Sequence, residues 1–422
     1  SRSVDASRHK VEELVEQLTG RRGGSAIKPI TGLMTAGAPS GAEASPTSHP
    51  RQMFDLHTKN RVAAVAYSPD GKMLAIGGDP RTVELCEARS GKSIVTLNLF
   101  TDAEKSILAA AKYAVGNVDV RVLAFAPESS VVAVGTSIGQ VKLFDARTGA
   151  FLLSLDDVIR KAGNDKPLHK FLELRLAQGN VWGVAFSPDG KRLATCGDPI
   201  DYKQDGVERL GLGPTAGLLK LWDAKSGELK HDLKGEHSSQ VLDVAFSPDG
   251  KLLASAGNCR GTGNGVKLWD PQTGKVTRVL AVPNGHIGGG SALCFAFSPD
   301  GKRMAMGVMQ YDKSTDVTSG SINVVYSASG LLDLSWRVPR SVRPVAFSPD
   351  GKMIAALSGA SALTLWDSST GSSQLGIDHS DSRWECFAFA PQGRTLAIGG
   401  LDAEKRGIVR VADLDDTSAT AR

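Results

Sequence analysis

The sequence predicts an all-β fold made of seven copies of one four-stranded unit. Three observations carry this. First, the phrase Phe-Ser-Pro-Asp-Gly-Lys recurs at 186–191, 246–251, 297–302 and 347–352, with near copies at 67–72, 125–130 and 389–394. Second, each copy follows a Val/Ala-rich run and precedes an apolar run such as LLASAG or MLAIGG, which reads as strand, tight turn, strand. Third, each unit carries a further apolar strand downstream: VELCE (83–87), VKLFD (141–145), LKLWD (219–223), VKLWD (266–270), INVVY (322–326), LTLWD (363–367) and VRVAD (409–413). Most of these end in a turn such as Ala-Lys-Ser-Gly at 224–227, which leads into a fourth strand. A repeat of about 40 residues with four short strands is the signature of a propeller blade, and the longer units here require insertions.

Taken in order, residues 1–20 are expected to form an amphipathic helix. Val11, Leu14, Val15 and Leu18 make one apolar stripe, and Gly20 stops it. The simpler reading is a helix docked on its own domain or frayed, and the sharper one a helix that binds a partner or tethers the domain. Residues 21–50, rich in Gly, Ala, Ser, Pro and Thr, read as a flexible linker, because they offer little apolar surface to offset ordering entropy. Residues 51–416 are expected to be the propeller and 417–422 a disordered tail. The last unit reaches its third strand at 409–413 and then runs out of apolar sequence. The alternating QMFDLH at 52–57 has no unit of its own, so it is expected to supply the missing outer strand and close the ring.

Composition narrows the function classes. The net charge of +4 over 422 residues, without a Lys/Arg block, gives no nucleic-acid footprint. No apolar run reaches the roughly 18–20 residues of a membrane-spanning helix. The five cysteines, Cys86, Cys196, Cys259, Cys294 and Cys386, form no CxxC pair, so neither metal nor redox motif is expected. They read as small buried hydrophobes, with Cys294 and Cys386 at the same repeat position. Free thiols fit a reducing compartment, and a cytoplasmic location is the expectation. The chain starts at Ser1 without Met, which leaves room for a removed signal peptide.

The FSPDGK phrase, the apolar second strand and the LWD ending together resemble the WD40 family over residues 52–414. The resemblance implies a seven-bladed β-propeller of four-stranded antiparallel blades. It also implies a buried network of His, Ser/Thr, Asp and Trp in each blade. Blade four comes nearest, with His237, Ser255 and Trp269, and blade three has Thr195 and Trp222. Elsewhere Ile76, Val134, Met306, Ala356 or Ile398 takes the Ser/Thr place, so apolar packing is expected there.

In that fold the SPDG turns share the bottom face, and the loops joining strands two and three, or one blade to the next, share the top. The large insertions, 197–217, 258–265, 309–320, 100–119 and 156–180, all sort to the top, with a helical pattern at 103–114. Loops on a rigid scaffold commonly carry binding. A second set comes from the start of strand one, four residues before each repeat Phe/Tyr: Ala63, Arg121, Trp182, Leu242, Leu293, Arg343 and Glu385, with Trp384 beside the last. Arg121, Trp182, Arg343, Trp384 and Glu385 are the candidate partner-binding residues, since Trp and Arg dominate interface hot spots. The blander reading is that Arg343 and Glu385 simply pair with each other. The lysines after the SPDG turns have Asp partners two residues earlier and read as turn chemistry. No catalytic motif is present, and no cofactor is expected. Asp198, Asp201, Asp205 and Glu208 could collect a cation, although a solvated acidic loop is the simpler reading. These features together predict a non-enzymatic scaffold that binds other proteins through its top face. A propeller-type hydrolase or lyase, and an exported ligand-binding sensor, stay open as alternatives.

Overall fold

The computed structural model describes residues 51–79, 81–100, 118–155, 179–198, 217–233, 237, 240–257, 265–282, 291–312, 317–358, 362–378 and 382–415, all within the compact unit Gly41–Arg422. The expected helix and linker at 1–50, the helical pattern at 103–114 and the tail lie outside the described residues. Among the described residues there is no helix. Their 28 strands form seven four-stranded sheets, each antiparallel throughout.

The second and third strands of a blade have neighbours on both faces. Arg192–Gly197 and Leu253–Gly257 are buried almost end to end, which explains their continuous rather than alternating apolar sequence. The outer strands, such as Ser93–Asn98 and Lys275–Ala281, are mostly exposed and mixed in composition. The core lies between neighbouring blades. Val83, Leu85 and Leu97 of blade one pack with Val120, Leu123 and Phe144 of blade two. Val62, Leu74 and Ile76 of blade one pack with Ala397, Val409 and Val411 of blade seven.

The innermost strands are Ala64–Tyr67, Val120–Phe125, Val181–Phe186, Val241–Phe246, Ser291–Phe297, Val342–Phe347 and Arg383–Phe389. Each touches the next in order, and the last touches the first. The ring is thus closed, with these strands around its axis. The seam is made as the sequence predicted: Arg51–Thr58 pairs antiparallel with Gly407–Asp413 as the outer strand of blade seven. The first described strand is thereby stitched to the last, and every sheet among the described residues has four strands.

The recurrent turn builds hairpins. In the first copy the Ser68 hydroxyl donates to Asp70 Oδ1 at 2.6 Å and accepts from the Met73 amide at 2.9 Å. Gly71 sits at φ +69°, a conformation that disfavours a side chain. The same Ser–Asp bond holds the carboxyls of Asp70, Asp189, Asp249 and Asp300 below their usual range. Lys72, Lys251 and Lys352 each pair with the Asp of their own turn.

Blade four has the predicted buried contacts. Ser255 Oγ lies 2.8 Å from His237 Nε2 and accepts from Trp269 Nε1 at 2.8 Å. In blade three Trp222 Nε1 donates to Thr195 Oγ1 at 2.9 Å. Ile76, Val134, Met306, Ala356 and Ile398 are buried, so apolar packing replaces the network in those blades. One expectation changes. The segment 309–320 is not a plain loop: the strands Arg303–Asp312 and Val317–Tyr326 pair as far as Asp312 with Val317. The insertion in blade five therefore extends a hairpin.

Candidate functional site

The position four residues before the repeat Phe/Tyr has a backbone cause. In six blades the pairing of strands one and two skips a register there. The skips fall between Val120 and Val122, Val181 and Gly183, Val241 and Asp243, Ala292 and Cys294, Val342 and Val345, and Trp384 and Cys386. Each skip is a β-bulge, which takes the extra residue out of the ladder and re-aims its side chain. Leu242 and Leu293 are buried. Arg121, Trp182, Arg343 and Glu385 stay half-buried.

Three of these meet. The Arg343 guanidinium lies 4.7 Å from the Trp182 ring centroid, and that of Arg121 lies 5.4 Å from the same centroid. Blades three and six are not neighbours in the ring, so Trp182 and Arg343 reach each other only across the axial channel. Arg343 Nη2 also donates to the Leu242 carbonyl of blade four at 3.3 Å. Cation–π contacts of this kind are worth about 0.5–2 kcal/mol each, the more so where water is excluded. Trp182 is fixed from behind, because its indole N–H donates to Asp198 Oδ1. Asn180 Nδ2 donates to the other oxygen at 2.7 Å. Asp198, considered above as a cation ligand, is therefore occupied in holding Trp182. Residues 199–216, which carry its three acidic companions, lie outside the described residues. No metal-holding group of His, Cys, Asp or Glu occurs among the described residues.

Glu385 does not pair with Arg343. It pairs with Arg61 at 3.3 Å and with Arg383 at 3.6 Å. Arg61 also reaches Asp119 at 3.2 Å, and Arg121 reaches the same carboxylate at 3.3 Å. Of these charged residues, Arg61 and Asp119 line a polar recess of roughly 190 Å³, together with Asn60, Ala63 and Gly78. Sequence reasoning missed Arg61, Asp119 and Arg383. Each stands two residues before one of the strand-one positions considered above, Ala63, Arg121 and Glu385.

Asp243 was missed as well. Its carboxylate oxygens accept the amides of Val244 and of Phe295 in the next blade, both at 2.9 Å. Desolvation pushes its pKa up to about 6, against the pull of the Phe295 amide and of nearby Arg343. The cysteines at this repeat position also tie blades together. Cys294 Sγ donates to the Val342 carbonyl at 3.3 Å, and Cys386 Sγ lies 3.8 Å from the Val62 carbonyl. Cys86, Cys196, Cys294 and Cys386 are free and buried, and burial pushes their thiols upward. Cys259 lies outside the described residues.

Trp384 is the exception among the expected contact residues. It is 1% exposed and packs in the core with Leu396, Ile398 and Ile408. The Arg410 guanidinium lies over its ring at 5.6 Å. It precedes the bulge rather than occupying it, so its side chain turns inward, and it offers no surface to a partner.

The channel mouth thus presents guanidinium donors, an indole and carboxylates. The family model described as "Nucleolar protein 10-like, N-terminal domain" matches residues 47–178. The model "WD domain, G-beta repeat" matches residues 168–200 and 227–270. A WD repeat-containing protein WDS homolog from Arabidopsis thaliana is 31% identical over 193 residues, covering 45% of this chain and 31% of the relative. Telomerase protein component 1 of Rattus norvegicus is 31% identical over 216 residues, covering 44% of this chain and 7% of the relative. Protein HIR1 of Yarrowia lipolytica is 26% identical over 304 residues, covering 66% and 27%. The chain spans less than a third of the length of each of these three. No helix among the described residues is long and apolar enough to cross a membrane. With seven four-stranded blades, a ring stitched by its first described strand and family-model matches at 168–200 and 227–270, the chain is a seven-bladed β-propeller that carries WD40 repeats.

Proposed function

We propose that this propeller is a non-enzymatic interaction scaffold that docks other proteins at the mouth of its channel and on the surrounding top face. The observation that carries this reading is the stack of Arg121 and Arg343 on Trp182. Residues of three blades converge there through bulges that re-aim them, beside the charged rim of Arg61, Asp119 and Glu385. Trp and Arg are the side chains that most often supply binding energy at interfaces. The relatives add support, since one of them is named as a component of telomerase. Arg121, Trp182, Arg343 and Glu385 are the proposed contact residues. Trp384 is left out because it is core.

Affinity capture from the native source, quantified by mass spectrometry, tests the reading. The wild-type chain is compared with the Trp182→Ala/Arg343→Ala double variant. Selective loss of a defined set of partners is expected. Undiminished recovery of every partner would contradict the channel-mouth assignment.

A further inference from the structure

The channel mouth holds more guanidinium than it pairs. Arg61, Arg121 and Arg383 divide two carboxylates, Asp119 and Glu385. Arg121 donates from Nη2 to a carboxylate it already shares with Arg61, and its buried Nε has no partner among the described residues. Arg343 has no carboxylate within salt-bridge reach among the described residues, and its one hydrogen bond goes to the neutral carbonyl of Leu242. The two remaining carboxylates nearby balance the charge but make no salt bridge to Arg343. Asp198 has its oxygens engaged by Trp182 and Asn180. Asp243 has its oxygens engaged by two backbone amides.

A guanidinium laid on an indole keeps its N–H edge free in the plane of the fork. That edge matches a carboxylate, which it can hold by two parallel charge-assisted bonds. The Arg343 and Arg121 guanidinium groups lie 4.7 and 5.4 Å from the same ring centroid, with donors left over. We infer that the channel mouth is a receptor for a single acidic side chain, an Asp or Glu on a docked peptide segment, which Arg343 and Arg121 hold over Trp182. The inference rests on the reading that proteins dock at this mouth. The rim selects the charge state. Asp119 and Glu385 stand beside the stack and repel a doubly charged group such as a phosphate more strongly than a singly charged carboxylate. A nucleic-acid strand is disfavoured by the same carboxylates.

The test is selection of a phage-displayed random dodecapeptide library on the full chain. Parallel selections use Arg343→Met and Trp182→Ala. Peptides that need Trp182 are expected to share an Asp or Glu at one position. In the leading synthetic peptide, Glu→Gln (or Asp→Asn) is expected to weaken binding to the wild type on the order of tenfold to hundredfold, as for loss of one hydrogen-bonded charge. Arg343→Met is expected to remove most of that discrimination, and Arg343→Lys to restore part of it. The Glu→Gln arm uses the wild-type chain alone, so it stays decisive even if an arginine variant folds poorly. Trp182-dependent peptides with no shared acid, or no effect of Glu→Gln, would overturn the inference and leave the scaffold reading standing. A phosphoserine peptide binding more than tenfold tighter than its Glu counterpart would overturn it in favour of phosphate. Recovery of no peptide that depends on Trp182 or Arg343 would overturn both readings.

Discussion

Asp55 and Arg410 stand directly opposite each other across the seam that closes the ring, joined by two hydrogen bonds of 3.0 and 2.9 Å. Their side chains are only 18% and 12% exposed. The pair joins the first described strand to the last, so it fixes the register at which the chain ends meet. Breaking one member leaves a poorly solvated charge behind, at a cost on the order of 1–3 kcal/mol. Asp55→Asn is therefore expected to lower the urea midpoint. Adding Arg410→Met should cost less than the sum of the singles. Additive effects in that cycle would show that the pair is not coupled.

The same seam depends on a missing side chain. A Cβ on Gly407 would fall 1.8 Å from the Asn60 carbonyl oxygen and 2.0 Å from Thr58 Oγ1. Gly407→Ala cannot be accommodated without displacing the closing strand, and overpacking of this kind costs on the order of 1–3 kcal/mol. Faster proteolysis within 51–58 is the expected readout, with a lower thermal midpoint. An unchanged cleavage rate would mean that the strand does not need this close approach.

Blade four makes an acid-sensitive prediction. Burial holds the His237 imidazole neutral, with its pKa lowered to about 4. Its folded value lies below the unfolded one, so its contribution is fully present above about pH 6.5 and is lost as pH falls through about 4. The effect is on the order of 3 kcal/mol. Ser255→Ala leaves the Trp269 N–H without its acceptor and should cost about 1–3 kcal/mol at pH 7. Urea denaturation from pH 4 to 7 for the wild type and His237→Gln checks the first point. Parallel curves for the two would contradict it.

Asp243 has the opposite sign. Its folded pKa is raised from 3.8 to about 6, so the folded state holds the proton more tightly. The penalty is absent below about pH 3.8, grows as pH rises to about 6, and is complete above that, on the order of 2–3 kcal/mol. Asp243→Asn should flatten this part of the stability profile. Chemical-shift titration of the Asp243 carboxyl carbon gives the value directly, and a midpoint near 4 would contradict the assignment.

The blades were legible because each turn, strand and apolar run repeats, so errors in one copy are corrected by the others. The seam was legible because one short strand was left over at the start and one was missing at the end. The channel mouth was half legible. Arg121, Trp182 and Arg343 converge, and each stands at a register skip that recurs in six blades. What they touch could not be read. Trp182 meets Arg343 across the channel, between blades distant in sequence, while Glu385 turns to Arg61 and Arg383 on its own side. Trp384 misled because residue type suggested an interface, whereas one position along a bulged strand decided between channel and core. Segment 309–320 looked like a loop because its polar residues mask a hairpin whose partner is local.

Hydrogen–deuterium exchange on the full chain, alone and with a captured partner, tests the scaffold account most directly. Docking at the channel mouth predicts protection of peptides 118–125, 180–186, 341–347 and 383–387, with the bottom turns at 68–72, 187–191 and 247–251 unchanged. Protection confined to the bottom turns or the outer strands, with the channel-mouth peptides unchanged, would contradict it.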